Sequence, residues 1–170
     1  MKEIYFAGGC FWGVQKYMSM IKGVVSTEAG YANGKTTNPT YRDVCFMDTD
    51  HAEAVKIEYD ESIISLKKLL WVYFDIIDPT TPDQQGADIG RQYRTGVYYT
   101  DPSDEAILKE EFEALKQKYK GQLVVTELKK LENYFPAEDE HQNFLFKNPK
   151  GYCHIGKSAF ARIEEINNSI

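Results

Sequence analysis

The sequence predicts a two-layer α+β fold: a ferredoxin-like split βαβ core whose sheet contains antiparallel strands, with helices on one face, long loops and a C-terminal coil. Three observations predict it. The elements alternate as strand–helix–strand–strand–helix–strand, followed by helix–strand. The apolar periodicity switches cleanly between two and about 3.6 residues. No repeat, low-complexity stretch or linker interrupts the 170 residues, so one domain spanning 1–170 is expected.

Each element has a local reason. Residues 3–8 (EIYFAG) read as a short strand that stops at Gly8-Gly9. In residues 12–21, Val14, Tyr17, Met18 and Ile21 recur at helical spacing. Residues 23–32 and 54–59 read as strands, with a Gly-, Asn- and Pro-bearing loop from Asn33 to Pro39. Ser62 to Ile77 carries Ile63, Leu66, Leu69, Leu70, Tyr73, Phe74 and Ile77, the strongest buried helix face in the chain. Residues 78–92 form a long polar loop, a length usually kept for function or disorder. Thr95 to Tyr99 is a strand. Asp101-Pro102 then opens a helix that ends near Gly121, because an Asp N-cap and a Pro in the first turn suit a helix start. Residues 123–130 read as strand and 138–147 as a short polar helix.

Composition narrows the function. Twenty basic against 26 acidic residues give a net charge of −6, a poor match to a nucleic-acid surface. No apolar run reaches the roughly 18 residues that a membrane-spanning helix needs. The segment Met1–Phe6 is too short an apolar stretch for a signal peptide, so a cytoplasmic, reducing location is expected. Three cysteines, Cys10, Cys45 and Cys153, are too few for a disulfide scaffold and cannot all pair within one chain. His51, His141 and His154 match no zinc spacing with them, so neither metal nor other cofactor is expected.

Cys10 falls between a strand and a helix, in Gly8-Gly9-Cys10-Phe11-Trp12-Gly13. Free N–H groups at a helix start favour an anion, which should ease ionisation of a thiol placed there. The two glycines allow a sharp turn, and the adjacent Phe11 and Trp12 could form an apolar pocket for a methyl-like group. Three chemistries remain open on these residues: thiol redox catalysis, hydrolysis with a histidine base, and plain binding of a methyl-bearing side chain.

The pentapeptide Gly9-Cys10-Phe11-Trp12-Gly13 resembles the signature of the peptide methionine-sulfoxide reductase A family. The resemblance continues through Gly30-Tyr31, Asn38-Pro39-Thr40-Tyr41, His51-Ala52-Glu53-Ala54-Val55, Gln92-Tyr93-Arg94 and Gly151-Tyr152-Cys153, and spans residues 3 to 156. It implies reduction of the S epimer of methionine sulfoxide, protein-bound or free, by a monomer. Cys10 would attack the sulfur and become a sulfenic acid. Glu53 would supply the proton, Tyr41 and Tyr93 would hold the sulfoxide oxygen, and Phe11, Trp12 and Asp88 would line the substrate pocket. Cys153 would then form a disulfide with Cys10, which thioredoxin would reduce. Some family members carry a further cysteine shortly after this point, and this chain has none. Cys45, between Val44 and Phe46, is expected to be a buried cysteine with no redox role.

Overall fold

The structure is a computed structural model that describes all 170 residues. Strands β1 (Lys2–Ala7), β2 (Val24–Ala32) and β3 (Ala52–Tyr59) alternate with helices α1 (Phe11–Ser19) and α2 (Tyr41–Phe46). Helix α3 (Leu66–Phe74), a minute hairpin of β4 (Gln84–Gln85) and β5 (Asp88–Ile89), and strand β6 (Gly96–Tyr99) follow. The chain continues through α4 (Glu105–Lys118), β7 (Glu127–Lys130) and β8 (Tyr134–Pro136), and closes with α5 (Phe144–Lys147), α6 (Lys157–Ala161) and α7 (Ile163–Asn168).

The six-stranded sheet runs β7-β6-β1-β3-β2-β8, with only the β6–β7 pair parallel. Its central four strands, β6-β1-β3-β2, are the split βαβ arrangement the element order predicts. Side-chain alternation separates two faces. Ile4 and Phe6 of β1 join Val55 and Ile57 of β3 in the main core with α1, α3 and α4. Tyr5 and Ala7 point into a smaller cluster on the opposite face with Ala52, Ala54 and Tyr98. Glu53 shares its face with Val55, Ile57 and Tyr59, so it is a carboxyl placed on the helix-covered side.

One core residue fixes where β1 stops. The fully buried Tyr73 hydroxyl donates to the Ala7 carbonyl (2.5 Å) and accepts from the Gly96 amide (3.1 Å). The sharp turn at Gly8-Gly9 begins there, and Gly9 adopts φ +76°, a region open to glycine.

The structure differs from the sequence expectation in several places. Helix α2, capped by a Thr40/Asp43 capping box, and strand β8 were not anticipated. The polar helix expected over 138–147 is a 3-10 turn at Asp139–His141 and the short α5, divided by Asn143 at φ 53°. The C-terminal stretch expected as coil forms α6 and α7, with Ala159 and Ile163 buried against the core. Ile155, Ala159, Ile163, Ile166 and Ile170 recur every three or four residues, which is the period that makes this segment an amphipathic pair of helices. Asn167 fastens it to the end of α1, accepting from the Lys22 amide (2.8 Å) and donating to the Met20 carbonyl (2.9 Å).

Candidate active site

Cys10 is the N-cap of α1 and is 5 % exposed. Two of the donors at this helix start are taken by carboxyl groups, and the Cys10 side chain itself caps none of them. The Cys10 amide donates to Asp88 Oδ2 (3.2 Å), and the Phe11 amide donates to Glu53 Oε1 (3.1 Å). The Trp12 amide points at the Cys10 thiol. Two carboxyl groups thus occupy the positive end of the helix, where negative charge is favoured.

This arrangement overturns the expected ease of ionisation. Burial raises the Cys10 pKa above its ordinary value, and the charges of Glu53 and Asp88 raise it further; the Trp12 amide only partly offsets them. The resting thiol is neutral. Glu53 behaves in the same way. Burial, with a smaller contribution from Asp88, lifts its pKa from 4.5 to about 8, against the lowering effect of the Phe11 amide. At neutral pH its carboxyl therefore keeps its proton. Oε1 is engaged by Phe11, while Oε2 is buried and has no hydrogen-bond partner. Glu53 is a proton donor with one free oxygen.

Tyr41 opens α2, and Tyr93 ends the 3-10 turn that follows the long loop. Both are partly buried, and burial followed by the Glu53 charge raises both hydroxyl pKa values, so both stay protonated and able to donate. The loop bearing Asp88 and Tyr93 is pinned from within. The Gln85 side chain is buried and bonds both the amide and the carbonyl of Asp78 (2.8 Å each). The same loop is tied to the cysteine turn by the Gly9 amide, which donates to the Tyr93 carbonyl (3.2 Å).

An aromatic wall stands beside Cys10. Trp12 stacks on Phe144 with ring centroids 3.7 Å apart and donates its indole N–H to His141 Nδ1 (3.1 Å). His141 stacks on Tyr41 at 4.2 Å. Phe11 has no exposed surface and backs this wall from the core, against Tyr31 and His141. Trp12 and Tyr41 retain partial exposure.

The sequence reading did not single out Glu138, and it weighed His141 only as a zinc ligand. Glu138 accepts from the Tyr31 hydroxyl (2.8 Å) and from the Tyr41 amide (3.0 Å), so it sets both the wall and α2. The run Glu138-Asp139-Glu140-His141-Gln142 reads as a surface charge cluster, which hides this role. Donor atoms of Glu138, Glu140 and His141 lie within 4.8 Å of one another. The Glu138 oxygens and the His141 Nδ1 already serve the wall.

Cys45 is not buried as expected. The six-residue α2 buries only Val44, leaving Cys45 half-covered one turn beyond Tyr41, facing its hydroxyl, and Phe46 80 % exposed. Cys153 is also half-buried, in the loop between α5 and α6, and both it and Cys10 are free thiols. It is close enough for its charge to raise the Cys10 pKa. No histidine nitrogen hydrogen-bonds the Cys10 thiol; His51 is committed to the Thr36 carbonyl at 2.8 Å. The histidine-base hydrolase arrangement is therefore not built here.

The family model described as peptide methionine sulfoxide reductase matches residues 2–168. The chain belongs to the peptide methionine sulfoxide reductase family. It is 54 % identical over 159 residues to "Peptide methionine sulfoxide reductase MsrA" of Lachnoclostridium phytofermentans, covering 94 % of this chain and 95 % of that one. The solved structure of Mxr1 from Saccharomyces cerevisiae in reduced form superposes with a TM-score of 0.84 at 36 % identity, covering 89 % of this chain and 88 % of that one. Mxr1 in complex with Trx2 superposes at 0.59, with 25 % identity and 84 % of each chain covered.

Proposed function

We propose that this family member reduces the S epimer of methionine sulfoxide, protein-bound or free, to methionine, and so repairs oxidised proteins. The observation that carries the chemistry is Glu53: a buried, protonated carboxyl with an unpartnered oxygen, whose other oxygen holds the amide next to Cys10. A sulfoxide oxygen is a strong acceptor, and Glu53 Oε2 supplies the donor it lacks. Tyr41 and Tyr93 add two more neutral donors. Trp12 and Tyr41, with Phe11 behind them, close on the methyl side, and Asp88 lines the pocket from the Cys10 amide that it holds.

In the forward step Glu53 protonates the oxygen as the Cys10 thiolate attacks sulfur. The net change is transfer of the oxygen: sulfoxide plus thiol gives thioether plus a sulfenic acid on Cys10, the substrate sulfur gaining two electrons. Cys153 then attacks the sulfenic sulfur. A Cys10–Cys153 bond forms, the S–OH bond breaks, and the hydroxide leaves as water. A thioredoxin-type dithiol returns both cysteines to thiols, a reading supported by the relative solved with Trx2. The catalytic unit is one domain, residues 1–170, acting as a cytoplasmic monomer; no helix is long and apolar enough to cross a membrane.

The test is a single turnover. Reduced protein mixed with a methionine-sulfoxide peptide and no reductant should yield about one methionine per chain and a Cys10–Cys153 link by mass spectrometry. A fully reduced product, or a link through Cys45, refutes the cycle.

A further inference from the structure

Three contacts converge on the residue after Cys153. The His154 side chain is only 4 % exposed, although it lies in a loop. Its ring rests on two glycines: a Cβ at Gly9 would lie 2.7 Å from Nε2, and one at Gly13 would lie 3.5 Å from Cε1. Gly13 also gives clearance to the neighbouring residues, since its Cβ would come within 3.0 Å of Cys153 Sγ and 3.3 Å of Ile155 Cδ1. His154 Nδ1 lies 3.6 Å from Asp88 Oδ2, the oxygen that holds the Cys10 amide. Segment 153–155 therefore lies along the Cys10 turn and the first turn of α1, fitted into space that two missing side chains leave open.

Neither His154 ring nitrogen makes a hydrogen bond. Burial keeps the ring neutral, opposed by the Asp88 carboxylate and the Gly8 carbonyl. A buried imidazole held by packing on the glycines and by the long contact to Asp88 is a seat and not a lock: no short hydrogen bond fixes it. The adjacent Cys153 must travel from its place over Gly13 until its sulfur bonds Cys10 at about 2 Å. Its starting point decides how often that encounter occurs.

We propose that His154 is a positioning residue for the second step: by seating on Gly9 and Gly13 beside Asp88, it parks Cys153 next to Cys10, ready to capture the sulfenic acid. This rests on the assignment of Cys10 as attacking and Cys153 as resolving thiol. Cys153 donates the electron pair, the Cys10 sulfur accepts it, and hydroxide departs as water. His154 takes no part in the bond changes.

The experiment separates the two steps in wild type, His154→Ala and His154→Gln, without reductant. Methionine formation reports the first step. The appearance of the Cys10–Cys153 disulfide, and trapping of sulfenic acid at Cys10 by dimedone, report the second. His154→Ala should form its first methionine within about twofold of wild type, form the disulfide about tenfold more slowly, and accumulate the dimedone adduct. His154→Gln, whose flat amide can lie on the same glycines, should recover most of the loss. Gly13→Ala displaces the same segment from the opposite side and should reproduce the slow disulfide if His154→Ala does not fold. Equal slowing of both steps, or an unchanged or faster disulfide step, overturns the proposal. If wild type makes methionine but no Cys10–Cys153 bond, the assignment of Cys153 falls and the proposal with it; no methionine at all refutes the sulfoxide chemistry itself.

Discussion

Glu53→Gln tests the centre of the chemistry with two readouts of opposite sign. Gln keeps the shape and can still accept from the Phe11 amide, which Glu53 Oε1 does at 3.1 Å. It cannot deliver a proton and carries no charge. The reacting pair, thiolate plus protonated carboxyl, holds one proton in total, whereas the resting pair holds two. With Glu53 titrating at about 8, about a tenth of the molecules at pH 7 have lost that first proton, and the single-turnover rate should climb roughly tenfold per pH unit before levelling near 8. In Glu53→Gln that limb should disappear, leaving a rate about 10²- to 10⁴-fold lower that keeps rising with the ionisation of Cys10 alone. The same substitution removes the charge that, after burial, does most to raise the Cys10 pKa. Alkylation of Cys10 by iodoacetamide above pH 8 should therefore become faster while sulfoxide reduction becomes slower. Methionine release and peptide mapping of the alkylated cysteine measure the two directly. Near-normal reduction with the limb still near pH 8 would refute the reasoning, as would a fall in both reactivities.

The same pKa shift predicts a pH dependence of stability. The folded Glu53 pKa of about 8 lies above the unfolded value near 4.5, so between those pH values the folded state binds more protons and its stability declines as pH rises, by up to about 1.4 kcal/mol per unit. The melting temperature of Glu53→Gln should gain on that of wild type between pH 5 and pH 8; a constant difference would contradict the shift. Cys153→Ser should release about one methionine per chain and then stop with thioredoxin as reductant, whereas Cys45→Ser should continue within about twofold of wild type, both followed by NADPH consumption with thioredoxin reductase. Ile163→Ala, at a position 5 % exposed, should cost about 2–4 kcal/mol in urea unfolding; a cost under about 0.5 kcal/mol would mean that α7 does not pack on the core.

The central sheet was legible because its signals are local. Alternation in β1 and β3 and the apolar stripe of α3 are visible within single windows, and chain order then limits the topology. What escaped was short or depended on partners elsewhere in the chain. Helix α2 has six residues and buries one of them. Strand β8 exists because β2 has a free edge, and β8 pairs Tyr134, Phe135 and Pro136 with it. Gln142 works as a substitute strand residue, bonding the amide and carbonyl of Ala29 at 2.8 Å each, a role its sequence context does not reveal. Cys10, Glu53, Tyr41 and Tyr93 were legible through motif resemblance. The resemblance carried no electrostatics, and a helix start considered alone suggested the opposite charge state for Cys10.

That reversal has a physical logic. The amides at the start of α1 stabilise whichever negative charge reaches them, and two carboxyls compete with the thiol for them. Asp88 takes the Cys10 amide and Glu53 the Phe11 amide, leaving Cys10 the single amide of Trp12. A carboxyl as buried as Glu53 would relinquish its proton to water only at a pH near 8, and its charge then raises the pKa of Cys10. The carboxyl is thus held neutral by burial and Asp88, and the thiol by burial and by the charges of Glu53 and Asp88. In the proposed cycle an incoming sulfoxide would change the balance, its oxygen accepting the Glu53 proton as negative charge leaves the thiolate for the new bond to sulfur. On that proposal the site would be reactive toward a substrate that needs both groups at once and quiet toward a reagent that needs only a free thiolate. A cysteine made acidic by the helix dipole alone would lack that discrimination, which is a chemical reason to place Glu53 in the sheet directly beneath the helix start.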